Sequence, residues 1–159
     1  MSNTFLWTKN YSVGIDLLDS QHKTLMELTD NFVLGCIEAT SGDIKPYFKK
    51  QITAILDYLV LHFRMEEQLL SILKFPAAAA HRRGHARCMG EIYYWLNEIN
   101  SLKSQVILSF TRYLRERIFD HVTGEDQGYG RYILHLKRRG FQIPRSECAL
   151  AGTENEVYR

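Results

Sequence analysis

A chain of 159 residues, 45% hydrophobic and 24% charged, is long enough to close one domain around a real core. Its formal net charge of +2 is too small to recruit nucleic acid or an anionic surface, and no apolar run approaches the roughly 18 residues of a membrane span. Three cysteines, Cys36, Cys88 and Cys148, form no C-x-x-C pair, and with no secretory leader pattern at the start they point to a reduced, cytoplasmic protein.

Residues 1–17 are aromatic-rich, with Phe5, Trp7, Tyr11 and Val13, and are expected to form an arm packed across the elements that follow. Asp16 or Asp19 is placed to cap a first helix running from about Asp19 to Glu38. His22, Leu25, Met26, Thr29, Val33 and Cys36 recur at helical spacing on its inner face. Ser41-Gly42-Asp43 should end that helix and cap the next. The second helix, about Ile44 to Leu73, carries Phe48, Ile52, Ile55, Leu59, His62, Glu66, Leu69 and Leu73 in alternating steps of four and three. That is the inward seam of a bundle helix, and His62 and Glu66 stand within it.

Proline is tolerated in a first helical turn but not deep inside a helix. Phe75-Pro76 therefore separates the second helix from a third, about Pro76 to Asn100. The third helix's inner stripe reads His81, His85, Cys88, Ile92, Leu96 and Ile99. A fourth, about Lys103 to Val122, buries Val106, Phe110, Leu114, Ile118 and His121. Gly124 is expected to break it, and Gly128 and Gly130 to keep the chain irregular. Residues 131–159 are expected to form a short helix and a mobile tail, giving a domain over 1–135 and an extension over 136–159. Four helices with short connections imply an all-α, antiparallel up-down-up-down four-helix bundle with an N-terminal arm.

Five of the six histidines, His22, His62, His81, His85 and His121, fall on these inward faces, and Glu66 joins them. His62 with Glu66, and His81 with His85, are four residues apart, which stacks each pair on one helical face about 5–6 Å apart at Cβ. One inward histidine is ordinary core furniture. Six such groups are not, because each buried polar group without a partner costs about 1–3 kcal/mol, and a lone carboxylate more. The pattern points to a metal site inside the bundle.

The motifs resemble the hemerythrin family. Its bacterial members open the first helix with a phrase matched here by Tyr11-Ser12-Val13-Gly14-Ile15 and Asp19-Ser20-Gln21-His22. Its H-x3-E is His62 to Glu66, and its H-x3-H after an aromatic-Pro pair is His81 to His85 after Phe75-Pro76. Its closing H(I/V)xxxD is His121-Val122 through Asp126. The resemblance covers about residues 5–135. It adds Asp126, which periodicity alone leaves as a solvated carboxylate.

It implies two iron ions, one held by His81, His85 and His121 and the other by His22 and His62. Glu66 and Asp126 would bridge them together with a solvent-derived oxygen, which leaves one position open for O2 on the two-histidine side. The implied function is reversible O2 binding for storage, transport or delivery, with O2 and an oxygen-consuming protein as partners and no enzymatic step. The alternatives are an O2, NO or redox sensor, or a di-iron peroxidase or NO-detoxifying enzyme at the same centre.

Leu25, Ile118 and Val122 lie within a turn of ligand positions and are expected to line the O2 pocket, although each also reads as plain core. Arg117 stands where the family usually carries tryptophan. It is expected either to swing outward to Asp120 or Glu116, or to make the pocket more polar. His135 is assigned to the surface.

Overall fold

The computed structural model describes residues 5–39, 44–98 and 104–143. Four long helices, α1 (Asp16–Glu38), α2 (Ile44–Ile72), α3 (Ala78–Glu98) and α4 (Ser104–Asp120), form a bundle. In it α1 packs on α2 and α4, and α3 packs on the same two. A single π-helical turn, His121–Glu125, carries α4 into a fifth helix, α5 (Gln127–Arg138). Among the described residues there is no strand, and no helix is long and apolar enough to cross a membrane.

Every residue of the α2 seam is buried, from Phe48 to Leu73. On α1 the stripe holds except at Val33, which is half-buried while its neighbour Phe32 is in the core. Phe32 wins the inward position because it meets Phe48 of α2 at a ring distance of 5.6 Å. Leu96 and Val106 are half-buried rather than buried. Ile99, the Ser41-Gly42-Asp43 caps and the chain beyond 143 lie outside the described residues.

The start of α1 differs from the expectation. Ile15 is its N-cap, with no side-chain capping bond. Asp19 turns back to the arm instead, accepting from the Val13 backbone N–H at 2.8 Å and from the Ser12 hydroxyl. Farther along the arm, Phe5 stacks on Phe119 of α4 (4.2 Å between centroids) under the Arg115 guanidinium, and its backbone N–H bonds Asp30 of α1. The arm thus closes the seam between α1 and α4.

The largest departure is at residues 124–130. Gly124 does not break the chain, which widens into the π turn, and Gly128 and Gly130 lie inside α5. Gly130 serves close approach rather than irregularity. A Cβ there would stand 3.2 Å from the Cα of Val13, so the missing side chain lets the arm lie against α5. Beyond it, Lys137 donates to the Gly14 carbonyl at 2.6 Å, tying the end of α5 to the arm.

Two apolar clusters result. One fills the bundle between Leu25, Phe63, Cys88 and Ile118 at one end and Ile44, Phe48, Ile107 and Phe110 at the other. The second is built by the arm (Val13, Ile15), Leu18, the end of α2 (Leu69, Leu70, Leu73) and α5 (Tyr129, Ile133). The inward histidines lie along each helix between these two clusters.

Gly130→Leu forces side-chain atoms against the Val13 backbone and is expected to destabilise the fold by about 1–3 kcal/mol, measured by urea unfolding with intact far-UV circular dichroism. Burial pushes the Cys36 and Cys88 thiols up to about 11. Both should therefore resist iodoacetamide at pH 8 in the native protein and react on unfolding, as peptide mass mapping would show.

Candidate metal centre

The site takes residues from the early turns of α1 and α3, from the late turns of α2, and from the π turn that follows α4 together with Asp126 at its end. Two groups of side chains bring donor atoms close enough to share an ion: Glu66, His81, His85 and His121, and His22, His62, Glu66 and Asp126. All are buried except His81, whose side chain is only 6% exposed.

Glu66 belongs to both groups, and its two oxygens divide between them. Oε2 lies 2.9 Å from His85 Nε2, 3.0 Å from His81 Nε2 and 3.9 Å from His121 Nε2. Oε1 faces His22 Nε2 at 4.0 Å. Asp126 divides in the same way, with Oδ1 3.2 Å from His121 Nε2 and 3.5 Å from His81 Nε2, and Oδ2 3.2 Å from His22 Nε2. Both carboxylates therefore span a three-imidazole side and a two-imidazole side.

Asp126 reaches the site through the π turn. Five residues along a regular α-helix a side chain stands about 140° round from the first, so Asp126 would leave the His121 face. Here the Asp126 N–H bonds the His121 carbonyl at 3.0 Å, an i→i+5 closure that fits one more residue into the turn. Gly124, expected to break the helix, lies within this turn instead.

Three imidazoles are oriented from behind. His62 Nδ1 donates to Gln21 Oε1 (3.0 Å), His85 Nδ1 to Glu67 Oε1 (2.8 Å) and His121 Nδ1 to Glu125 Oε2 (3.0 Å). Each bond puts a proton on Nδ1 and turns Nε2 inward, so that Nε2 is the nitrogen that presents a lone pair when a cation takes the place of its proton. Gln21 is itself held by Met65, to whose sulfur its amide donates, and Glu67 accepts from Arg82 at 3.1 Å. Phe63 lies flat on His85 (3.8 Å, 7°) and edge-on to His121.

The electrostatics fit a cation. Burial holds His62 well below the usual imidazole range and lowers His22, so both are neutral and free to donate a lone pair. Burial works to raise Glu66, but the His81 and His85 imidazoles outweigh it and hold this carboxyl well below its ordinary value. Asp126 is pushed the other way, by burial and then by the Glu66 charge. Nε2 of His22, His62, His85 and His121, Oε1 of Glu66 and both Asp126 oxygens are buried without a hydrogen-bond partner. Atoms of those types, converging on one volume, are a metal donor set.

The signature of the hemerythrin HHE cation binding domain matches residues 13–133. The chain belongs to the hemerythrin family. It is 25% identical to a bacteriohemerythrin of Stenotrophomonas maltophilia over 140 residues, 84% of each chain. A bacteriohemerythrin of Methylococcus capsulatus is 25% identical over 125 residues, 78% of this chain and 92% of the relative. A hemerythrin-like protein of Naegleria gruberi is 23% identical over 125 residues, 79% and 90% of the two chains.

Among the residues expected to line a pocket, Leu25, Ile118 and Val122 are all fully buried, Leu25 and Ile118 within the bundle cluster. His135 is exposed. Arg117 does not swing out to Asp120 or Glu116. Its side chain is 13% exposed, with Nη2 3.0 Å from Glu125 and Nε 3.6 Å from Glu91. Glu125 can be reached because the π turn folds it back onto His121.

Sequence reasoning missed Gln21, Glu67 and Glu125 as partners of the histidines, and Tyr129, whose buried ring stands edge-on to His81 at 5.5 Å. Burial, then the Glu66 charge, pushes the Tyr129 phenol well above its ordinary value. The available signal was adjacency: Gln21, Glu67 and Glu125 each neighbour a residue of the site in sequence.

Metal bound only by the folded state stabilises it by mass action, about 4 kcal/mol at a free concentration a thousand times the Kd. A strong chelator is therefore expected to lower the calorimetric Tm of hemerythrin-family protein purified with its metal. Glu66→Ala, which removes the carboxylate common to both groups, should abolish the chelator-dependent part of that shift.

Proposed function

We propose that the protein binds O2 reversibly at a non-haem di-iron centre and acts as a store or carrier. The observation that supports this most is that Glu66 and Asp126 each offer one oxygen to a three-imidazole side and the other to a two-imidazole side. His81, His85 and His121 would hold one iron, and His22 and His62 the other, with the two carboxylates shared. Bound here, iron supplies the electrons and the coordination position that O2 requires.

The chain's own contribution is asymmetry, charge and dryness. The His22–His62 side has one imidazole fewer, so it is the side left for a small ligand. Five imidazoles and two carboxylates bring less negative charge than the carboxylate-rich sets of ferritin-like di-iron oxidases. Less negative charge favours the reduced irons, and with them release of O2 over oxidation of a substrate. Leu25, Ile118 and Val122, each fully buried, exclude the water and protons that would end reversibility. Tyr129, also fully buried, closes the opposite side from Leu25 and Ile118 as part of the second cluster, its ring edge-on to His81.

Protein reconstituted anaerobically is expected to hold about two irons per chain. It should develop an absorption band on addition of O2 that disappears when O2 is withdrawn, over repeated cycles. Stoichiometric uptake without turnover in the presence of a reductant and peroxide or NO supports a carrier. Sustained turnover would overturn that assignment in favour of an enzyme.

A further inference from the structure

Behind His121 the structure builds a connected chain of polar groups reaching the surface between α3 and α4. His121 Nδ1 donates to Glu125 Oε2 at 3.0 Å. The other oxygen of Glu125 receives Arg117 Nη2 at 3.0 Å. Arg117 Nε faces Glu91 Oε2 at 3.6 Å, and Glu91 accepts from the Tyr113 hydroxyl at 2.7 Å. The guanidinium is thus held between two carboxylates from two different elements, the π turn and α3, while its own backbone belongs to α4.

Three observations single out Arg117 within this chain. Its side chain is 13% exposed, although a surface arginine would be free to point to water. Arg87, the other arginine near Glu125, stands 4.0 Å away and is 67% exposed, too loosely placed to fix a carboxylate. Finally, α3 leaves room for the arrangement at Gly84, where a Cβ would stand 3.1 Å from Glu125 Oε2. That is the oxygen that accepts from His121.

We propose that Arg117 is a positioning residue of the metal centre, holding Glu125 as the acceptor for His121 Nδ1–H and thereby fixing the tautomer and aim of His121 Nε2. The inference rests on the metal-centre reading above. The physical reason is that Glu125 alone is a partly solvated carboxylate with several rotamers of similar energy. An arginine on its far oxygen selects the rotamer in which the near oxygen meets the imidazole. Partners of this kind behind a metal-binding histidine are worth about 10–100-fold in metal affinity.

The test is a double-mutant cycle read by Fe(II) affinity, measured anaerobically by competition with a chromogenic chelator, on wild type, Arg117→Met, Glu125→Ala and the double variant. Thermal unfolding of the metal-free forms serves as the folding control. Arg117→Met is expected to weaken Fe(II) binding about tenfold. In the Glu125→Ala background the same change should have no further effect, because the residue through which Arg117 acts is gone. An affinity within twofold of wild type for Arg117→Met overturns the proposal. So does a loss that adds in full to that of Glu125→Ala, since Arg117 would then act by some other route.

Should Arg117→Met fail to fold, Arg117→Gln takes its place in the same cycle. Wild-type protein that binds no Fe(II) would overturn the metal-centre reading and this inference together. Tight binding by wild type with an unchanged Arg117→Met overturns this inference alone.

Discussion

Everything in this fold answers to one constraint, a layer of charged and polar donors in the middle of an apolar bundle. Seven inward side chains lie between two hydrophobic clusters, and each contributing segment passes from one cluster through the polar layer to the other. Along α1 the order is Leu18, His22, Leu25, and along α2 it is Leu59, His62, Glu66, Leu69. The chain from α4 to α5 reads Ile118, His121, Asp126, Tyr129. The site is a stratum of the core, not a pocket added to its surface. Unpaired, such a layer would consume a large share of a domain stability of about 5–15 kcal/mol. Cations shared among the seven groups, as proposed above, would turn the same layer into a source of cohesion.

The groups behind the imidazoles divide as the imidazoles do. On the two-histidine side His62 is backed by a neutral amide, Gln21, which is held by a methionine sulfur. On the three-histidine side His85 and His121 are backed by carboxylates, Glu67 and Glu125, and each carboxylate carries an arginine. A carboxylate makes the imidazole in front of it a stronger donor than an amide does. The side with more imidazoles is therefore also the side where two of them are backed by carboxylates. On the proposed reading, the two-histidine side would be left with weaker donation and a lower donor count, and both would favour exchange of a small ligand there.

Much of this was legible in the sequence, for a reason that also sets the limit. Alternating steps of four and three report which residues of a helix face inward. His62, Glu66, His81 and His85 stood in such stripes beside ordinary core residues. Periodicity is blind to residues off the stripe, and Glu67 and Glu125 act from its edge by reaching round to Nδ1. It also fails where the helical period itself changes. Asp126 is out of phase with His121 on an α-helix and in phase across a π turn, so only family resemblance supplied it. The glycines were misjudged because their commonest role is to break a helix. Gly130 instead gives the Val13 backbone a place to lie, a fact about a partner more than a hundred residues away. The caps of α1 failed for a related reason, since Asp19 was drawn to Val13 and Ser12 rather than to its own helix end.

The π turn is the least expected element, and the work it does explains why it is there. His121 must aim Nε2 at the centre and give its Nδ1–H to a fixing partner, so one carboxylate is needed behind the ring and another among the donors in front of it. On a regular α-helix the residue four along shares the face of His121, and the residue five along has turned well away. One carboxylate could therefore serve the ring, but not two. With one more residue in the turn, Glu125 still reaches Nδ1 while Asp126 comes within 3.2 Å of Nε2. Gly124 sits at the outer side of this turn, where nothing lies within 4 Å of a would-be Cβ, so space is not what selects it. The irregular backbone is held from both sides instead. Gln127 bonds the carbonyls of Val122 and Tyr11, which anchors the turn to the arm, and Arg117 anchors it to α4. A wider turn is less favourable than an α-helical one by itself. It persists because, of two consecutive acids, one takes the Nδ1–H of His121 while the next joins the donor atoms in front of Nε2, and only that geometry allows both.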